Sequence, residues 1–390
     1  MLKTLLSARK KVRKIIEKNE DEIHELKKQN TKEAEIKIEK LNEINAVLDK
    51  RQLAYKVSAN SMYGAMGIKQ GYLPFLPGAM CVTSTGKKSI LKVNQYFRDT
   101  YKGQIVYNDT DSIYYSPDIE NDLEKIFTFA EEVAEDVKKL FPSPMKLEFE
   151  GKCYTKFLIL TKKRYVCKVV KRNGDAEKKL MIRGIVLKRR DNCKFLRDVY
   201  ETMIYNILDH SKVFTGLSKL QYTMSHIYKL PEVVSLLNFI IDKVNDLFTF
   251  RYTFKDFVIT KGMRSLEHKS KSDPVHIHVA KKIISRGTPV SDNSRIEYVL
   301  IKTNDNRYKD GEKLSDNAED IEYFKQHREI LRIDYLLYLQ RQAIKPIDEV
   351  IQKVLKLEDF LYNHFKIRVQ KELVLRKIKK LNSPKITIVE

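Results

Sequence analysis

Two stretches near the start of the chain carry apolar residues every three or four positions. The first covers residues 5–26 and the second covers 38–48, and this spacing places the apolar side chains on one face of a helix. A short polar segment between them contains Thr31, a favourable N-cap residue, so we expect two antiparallel helices. The second helix should end near Gly64 and Gly67 in a left-handed cap, which glycine adopts readily.

The rest of the sequence contains both strand-like alternation of apolar and polar residues and helical spacing of apolar residues. Residues 105–115 are rich in β-branched and aromatic side chains around a polar turn, and apolar and polar residues alternate over 156–170. Both features predict strands, in the second case within a strand region covering 145–188, and a shorter strand-like run covers 296–303. Helical periodicity predicts helices over residues 79–101, 120–141, 193–210, 230–249, 276–285 and 320–380. We therefore expect an α+β protein with a helical hairpin, a strand-rich middle and a mainly helical second half.

The charge of the chain points to the kind of partner. Its 390 residues include 74 basic and 52 acidic side chains, a formal net charge of +22. This surplus favours a polyanionic partner, with nucleic acid as the leading candidate and an anionic membrane surface as the alternative. No apolar stretch reaches the roughly 18 residues of a membrane-spanning helix, and the start lacks a secretory apolar core. Four widely spaced cysteines suggest neither zinc nor disulfides. We expect an intracellular protein without a membrane partner.

The segment VYNDTDS places Asp109 and Asp111 two positions apart between apolar runs. Residues two apart on a strand face the same side, so the two carboxylates would repel each other unless a cation lies between them. Hard oxygen ligands of this kind suit Mg²⁺, which takes one or two protein carboxylates and leaves its other positions to water and phosphates. The alternative is an ordinary exposed turn, in which Asn and Asp are common.

A second polar cluster precedes the acidic pair. In KVSANSMYG, Lys56, Asn60 and Tyr63 lie at positions i, i+4 and i+7, on one face of the predicted second helix. Arg9 and Arg13, one turn apart on the first helix, add two cations that could bind a triphosphate. A solvated helix face would show the same arginine spacing, so the spacing alone does not establish a binding site.

The order and spacing of KVSANSMYG, YNDTDS and KKRY resemble the family B DNA polymerases, most closely the replicative delta-type and large eukaryotic DNA-virus enzymes. The resemblance covers nearly the whole chain. It implies helical-hairpin fingers over residues 1–67, an incomplete antiparallel-sheet palm over 68–190 and a mainly helical thumb over 191–390. The activity implied is template-directed addition of deoxynucleoside triphosphates to a primer 3′ end, in the nucleus or a viral replication compartment.

The resemblance also implies roles for individual residues. Asp111 would bridge two Mg²⁺ ions and Asp109 would be its neighbour in the metal site, with a deoxynucleoside triphosphate as substrate. The positions that match nucleotide-binding residues are Arg9, Arg13, Lys56, Asn60, Tyr63 and Gly64. The positions that match residues in contact with the primer–template duplex are Lys162, Lys163, Arg164, Tyr165, Arg189 and Arg190.

The sequence also departs from the family pattern. Asn108 stands where the family usually has glycine, and we expect it to keep the turn because asparagine tolerates positive φ. The first catalytic palm motif, the exonuclease motifs and the C-terminal cysteine modules are missing from these residues, and Glu148 and Glu150 are weak candidates for a third carboxylate. We therefore expect an N-terminal partner chain or segment that carries the exonuclease and first palm motif, and a sliding clamp is a further possible partner. Met1 directly before the fingers helix favours a separate chain.

Two rival functions remain open from the sequence. A non-catalytic DNA-binding subunit derived from a polymerase would keep the basic surface, but it has no use for an acidic pair that faces a metal. A reverse-transcriptase-like enzyme would show two adjacent aspartates rather than Asp-Thr-Asp at residues 109–111.

Overall fold

The computed structural model describes residues 2–29, 31–120, 122–176, 179–219, 227–267, 273–303 and 317–382. The chain forms two compact units. The first contains Met1–Asp122 and Glu135–Lys146, and the second contains Leu123–Ala134 and Leu147–Glu390. None of the described helices is long and apolar enough to cross a membrane.

The first unit begins with the predicted helical hairpin. Helix α1 covers Leu2–Lys27 and helix α2 covers Lys32–Met66, and the side chain of Thr31 accepts a hydrogen bond from the amide of Ala34 at 3.2 Å, so the predicted N-cap is confirmed. Polar side chains connect the two helices. Asn19 donates to the side chain of Asn45 at 2.8 Å.

The end of α2 differs in detail from the prediction. The helix does end at Gly67, but this residue has φ −83° and its amide donates to the carbonyl of Gly64 at 3.1 Å. The last turn therefore tightens into a hydrogen bond between residues i and i−3, which satisfies a terminal carbonyl without left-handed backbone. The expected left-handed cap is wrong.

A third helix and a strand hairpin complete the ordered core of the first unit. Helix α3 covers Leu76–Thr100 and contacts the antiparallel strands β1, Gly103–Asp109, and β2, Ser112–Pro117. The ring of Phe97 on α3 meets the ring of Tyr115 on β2 edge-on, with centroids 5.0 Å apart. The predicted strand-turn-strand at residues 105–115 is thus confirmed.

A three-stranded antiparallel sheet lies in the second unit. Strand β3 covers Cys153–Thr161, β4 covers Arg164–Val170 and β5 covers Met181–Arg183, with β4 in the centre. Residues 145–152 are not in a strand, so the prediction of a strand from 145 is wrong for that part. Among the described residues no strand pairs with 146–150, and alternation alone does not form a strand without such pairing.

The remaining helices and strands, apart from the first of these helices, contribute apolar side chains to one core of the second unit. The helices are α4 Leu123–Lys138, which passes from this unit into the first, α5 Lys194–Asp209, α6 Ser211–Lys219, α7 Pro231–Phe248, α8 Val275–Ser285, α9 Ile321–Gln326, α10 Tyr335–Tyr338, α11 Ile344–Leu355 and α12 Phe360–Asn382. A second antiparallel sheet contains β6 Ile259–Gly262, β7 Arg295–Thr303, β8 Ala318–Asp320 and β9 Leu331–Ile333.

The predicted helix over 320–380 is interrupted. Strand β9 pairs with β7, and a π-helical turn, Leu339–Ala343, separates α10 from α11. The strand arises because Leu331 and Ile333 are buried against the sheet, which overrides the local helical spacing. The broader prediction of a mixed helical and antiparallel-sheet protein is confirmed.

Candidate functional site

The two aspartates lie at the tip of the β1–β2 hairpin. Strand β1 ends at Asp109, which pairs with Ser112, and the amide of Asp111 donates to the carbonyl of Asp109 at 2.8 Å. Thr110 between them has φ +61°. A hydrogen bond between residues i and i+2 around a residue of positive φ defines a γ-turn, a rare and strained turn. We call Asp109, Thr110 and Asp111 the acidic turn.

Side-chain contacts hold the acidic turn in this form. The hydroxyl of Thr110 donates to Oδ1 of Asp109 at 3.2 Å, and the hydroxyl of Ser112 donates to the carbonyl of Asp109 at 3.0 Å. Asp109 is half-buried and Asp111 is exposed. A β-branched residue with positive φ is unusual, and strained backbone of this kind occurs at functional sites more often than elsewhere. Sequence reasoning did not identify Thr110.

The acidic turn fits the ligand preference of Mg²⁺ only in part. Its two carboxylates are hard oxygen donors that solvent can reach, and Mg²⁺ commonly takes one or two such ligands from the protein. Within the described ranges, no group of three or more histidine, cysteine, aspartate or glutamate side chains is placed to hold a metal ion. Glu148 and Glu150 lie in the irregular segment before β3, in the second unit.

Asn108 fills a different role from the one expected. The hairpin turn is kept, as expected, but Asn108 is not among the described residues with positive φ, so positive φ at this position is not the reason. Its side chain instead pairs with the buried Asn94 of α3. Each amide donates to the other at 3.1 Å. Asn94 was missed as well, although a polar residue between the apolar Val93 and Phe97 on a helix face is a readable signal.

The polar cluster that was identified on α2, which we call the polar stripe, is exposed. Lys56, Asn60 and Tyr63 are exposed on this helix, and an added Cβ at Gly64 would meet nothing within 4 Å. Nε of Arg9 donates to Oε1 of Gln52 at 3.2 Å, and Gln52 lies one helical turn before Lys56.

The packing of α1 on α2 therefore places Arg9 beside the start of the polar stripe. Arg13 is exposed one turn further along α1. Gln52 was missed by sequence reasoning, although its position four residues before Lys56 was the available signal. The predicted nucleotide-binding residues and the acidic turn all belong to the first unit.

The residues KKRY span the turn between β3 and β4 in the second unit and the start of β4, so the prediction of strand over 156–170 is wrong at Lys162 and Lys163. Thr161 pairs with Arg164, which leaves the exposed Lys162 and Lys163 at the tip. We call these two lysines the basic turn. Lys163 has φ +62°, and an added Cβ at Gly184 would lie 2.2 Å from the carbonyl oxygen of Lys163. Only glycine allows this close approach, because any side chain would displace the turn.

Arg164 and Tyr165 face the protein rather than solvent. Arg164 forms an ion pair with Glu349 of α11, and Tyr165 is 2% exposed with its ring stacked on Phe157 at 5.3 Å between centroids. Of the four KKRY residues, the two lysines of the basic turn are those presented to solvent.

The two arginines after β5 are both exposed. Arg189 donates to the two carboxylate oxygens of Asp191 at 3.1 and 2.6 Å, and this bond raises the pKa of Arg189 above its usual value. The carbonyl of Arg190 accepts a hydrogen bond from the amide of Thr260 at 3.1 Å. This backbone bond ties the arginine segment to β6.

A comparison with known protein families identifies the chain. The sequence pattern described as DNA polymerase family B matches residues 24–354. This match covers most of the 390 residues, and the chain belongs to DNA polymerase family B.

Named relatives come from viruses and cellular organisms. The chain is 35% identical over 388 residues to DNA polymerase 120R of Invertebrate iridescent virus 3. This match covers 88% of this chain and 32% of the relative. It is 31% identical over 339 residues to the DNA polymerase delta catalytic subunit of Arabidopsis thaliana. This match covers 84% of this chain and 28% of that subunit. The chain thus spans about a third of the length of the relatives it matches.

A solved structure was also compared. The family B DNA polymerase from the hyperthermophilic archaeon Pyrobaculum calidifontis is 21% identical, with a TM-score of 0.46 over 91% of this chain and 37% of that one.

Proposed function

We propose that the chain is the C-terminal catalytic portion of a DNA-directed DNA polymerase, which adds deoxynucleotides to the 3′ end of a primer. Family membership over residues 24–354 is the observation that carries this proposal. The acidic turn supports it, because it presents two carboxylates at a hairpin tip within the matched region. In this assignment residues 1–67 are the fingers, 68–190 the C-terminal part of the palm and 191–390 the thumb.

Asp109 and Asp111 would hold the catalytic metal, which we assign as two Mg²⁺ ions. Bound divalent ions supply positive charge that favours ionisation of the primer hydroxyl and balances charge on the phosphates. The part of this chain is to keep two carboxylates in fixed positions on either side of Thr110. The γ-turn and the two hydroxyl hydrogen bonds restrict the freedom of Asp109 before any ion binds.

The helical hairpin would bind the incoming triphosphate. Arginine presents a planar fork that matches phosphate oxygens, whereas lysine offers a mobile point charge. The contact of Arg9 with Gln52 brings that fork beside Lys56, and Arg13 adds a second fork on the same helix. Asn60, Tyr63 and Gly64 continue the stripe and would face the nucleotide and the nascent base pair.

The basic turn would contact the phosphates of the primer–template duplex. Contacts of this kind position the protein and sense the shape of the duplex, and they carry little sequence information. Arg189 and Arg190 would extend this basic surface. Arg164 would have to exchange Glu349 for a phosphate in order to contact DNA directly, and Tyr165 would support the hairpin from inside.

Two carboxylates are too few to hold two ions of total charge +4 close together. We propose that a further segment, in the same or another polypeptide, carries the exonuclease and the first palm motif with the missing carboxylate. A sliding clamp would be an additional partner. The site of action would be the nucleus or a viral replication compartment.

A primer-extension assay tests the proposal. The 390-residue chain alone should extend a primer poorly with Mg²⁺, and extension should appear when a polypeptide with the exonuclease and first palm motif is added. Asp111→Asn should abolish extension. Asp118→Asn, which changes an exposed carboxylate beyond the other end of the hairpin, should not. Strong synthesis by the chain alone would refute the need for a further segment, and DNA binding without extension under any condition would favour a non-catalytic subunit.

A further inference from the structure

We propose that Asn94 is a positioning residue for the acidic turn, because its amide pair with Asn108 sets the strand register that presents Asp109 to a cation. The inference rests on the proposed role of Asp109 and Asp111 as metal ligands. It concerns α3, an element that carries none of the predicted site residues.

The amide pair is reciprocal and partly shielded from water. Nδ2 of Asn94 donates to Oδ1 of Asn108 at 3.1 Å, and Nδ2 of Asn108 donates to Oδ1 of Asn94 at 3.1 Å. Asn94 is 9% exposed. A buried amide without a partner loses the hydrogen bonds that water would supply. Any register that separates the two side chains is therefore disfavoured.

The direction of Asn108 determines the direction of Asp109. Consecutive side chains on a strand point to opposite faces of the sheet. Since Asn108 points to α3, Asp109 points away from that helix, where a cation can reach it. A slip of β1 by one residue would exchange these two directions and turn the carboxylate toward the helix.

The hairpin needs such a device because its other constraints are weak. Within the ranges that the structure describes, its sheet has two strands, and an isolated two-stranded hairpin is marginally stable. The register also shifts between Ile105 and Tyr107, only a few residues before the turn. A second hydrogen bond of Asn108, from Nδ2 to the carbonyl of Ser112 at 3.3 Å, ties the pinned strand to its partner.

Apolar packing alone fixes the register less strictly. The ring of Phe97 contacts Tyr115 on β2, but an edge-on ring contact tolerates a small displacement that two reciprocal hydrogen bonds do not. The family resemblance places glycine at position 108, and glycine cannot form the amide pair. Asn94 and Asn108 thus form a linked pair in this chain.

Terbium luminescence provides a readout on the full chain that does not depend on activity. Tb³⁺ is a hard trivalent cation that tyrosine sensitises, and the chain has 21 tyrosines and no tryptophan. Tyr107 and Tyr114 lie next to each other on the hairpin, with ring centroids 6.0 Å apart. Tb³⁺ should bind the wild-type chain with Mg²⁺ as competitor, and Asn94→Ala should weaken this binding by about 10-fold.

Two control variants separate positioning from general loosening. Asn19→Ala removes a single hydrogen bond between two half-buried asparagines of α1 and α2 and should leave Tb³⁺ affinity unchanged. Phe97→Leu weakens the packing of α3 on the hairpin and keeps the amide pair, so it should lower the melting temperature and leave Tb³⁺ affinity unchanged. An equal loss of affinity in Phe97→Leu would overturn the inference.

The Asn108→Gly variant tests the pair from the other side. It should weaken Tb³⁺ binding at least as much as Asn94→Ala does, since it also removes the bond to Ser112. The double variant should be no worse than Asn108→Gly alone, because the amide pair is already absent there. Additive losses would overturn the inference, as would unchanged affinity in Asn94→Ala while Asp111→Asn abolishes binding. If Asp111→Asn itself binds Tb³⁺ normally, the proposed metal site fails instead.

Discussion

The acidic turn and the basic turn are hairpin connections of equal length and opposite charge. Both connect two antiparallel strands through two residues, and each contains one residue other than glycine with positive φ, Thr110 at +61° and Lys163 at +62°. They differ in what supports them. The acidic turn closes a two-stranded hairpin that an amide pair pins to α3, whereas the basic turn belongs to a three-stranded sheet with a buried central strand.

This difference indicates what each turn must tolerate. Ligands of a small cation must be held within a fraction of an ångström, and directional hydrogen bonds do this well. Contacts to a duplex backbone tolerate more displacement, because charge attracts phosphate without strict geometry. We therefore expect substitutions in the acidic turn to affect chemistry and substitutions in the basic turn to affect affinity for DNA.

The largest expected effect separates the two turns directly. Asp111→Asn should lower the rate of primer extension by at least about 100-fold, since it removes a ligand outright and changes to supporting residues already cost 10- to 100-fold. The dissociation constant for primer–template should hold, and the melting temperature should hold or rise as carboxylate repulsion is relieved. Single-turnover extension measures the rate, DNA titration measures the dissociation constant and thermal unfolding measures the melting temperature. A large loss of stability would make Asp111 a structural residue.

A second prediction concerns the contact behind the basic turn. Gly184→Ala should destabilise the protein by about 3 kcal/mol, because left-handed strain adds to the displacement of Lys163. Gly174→Ala is the matched control, since Gly174 also has positive φ, +80°, but an added Cβ there meets nothing within 4 Å. That variant should lose about 1 kcal/mol. Urea unfolding measures both free energies. An equal loss in the two variants would show that the contact between position 184 and Lys163 adds no further destabilisation.

The salt dependence of DNA binding tests the basic turn itself. If the protein contacts about six to ten phosphates, affinity should fall roughly 10³- to 10⁵-fold between 50 and 200 mM salt. Replacing Lys162 and Lys163 together by alanine should reduce the slope of log K against log salt by about 2. Fluorescence anisotropy with labelled duplex measures this slope, and an unchanged value would remove the basic turn from the DNA interface.

Strain in the acidic turn should be measurable as stability. Thr110→Gly relieves the left-handed backbone and should raise the free energy of unfolding by about 1 kcal/mol. The same variant should weaken Tb³⁺ binding, because glycine frees the turn and removes the hydroxyl that binds Asp109. Thr110→Ala keeps the strain and loses the hydroxyl, so it should not gain stability. A Thr110→Gly variant that is less stable than wild type would contradict the strained turn.

The smallest expected effect concerns Arg164. Glu349→Gln removes the charge that holds this arginine, and a freed guanidinium should steepen the salt slope of DNA binding by about 1. Glu358→Gln, an exposed change after the same helix, serves as the control. Unchanged slopes in both variants would mean that Arg164 stays within the protein when DNA is bound.

The sequence predicted features that depend on a few neighbouring residues. The N-cap at Thr31 is confirmed, because its hydrogen bond closes within three residues. The position of the acidic pair at a hairpin tip also followed from a local pattern. The tip at Lys162 and Lys163 was missed, because the alternation over 156–170 predicted strand through KKRY. The spacing of Lys56, Asn60 and Tyr63 predicted a shared face of one helix for the same reason.

Features that depend on distant partners were missed. Strand β9 forms because β7 is there to pair with it, whereas no strand in the described part of the chain pairs with the alternating residues 146–150. Arg164 and Glu349 are 185 positions apart, so nothing local predicts their ion pair. Asn94 and Asn108 are only 14 positions apart, yet their pairing depends on how α3 packs on the hairpin.

The passage of α4 from one unit to the other determines where the chain can be shortened for study. A polypeptide that stops at Asp122 would contain the acidic turn but lack residues 135–146 of the same unit. Those residues supply Asp136, which accepts a hydrogen bond from Tyr101 at 3.1 Å, and the carbonyl of Leu140, which accepts from Lys92 at 2.9 Å. An expressed fragment intended for spectroscopy of the hairpin should therefore extend to Lys146, with the whole of α4 included.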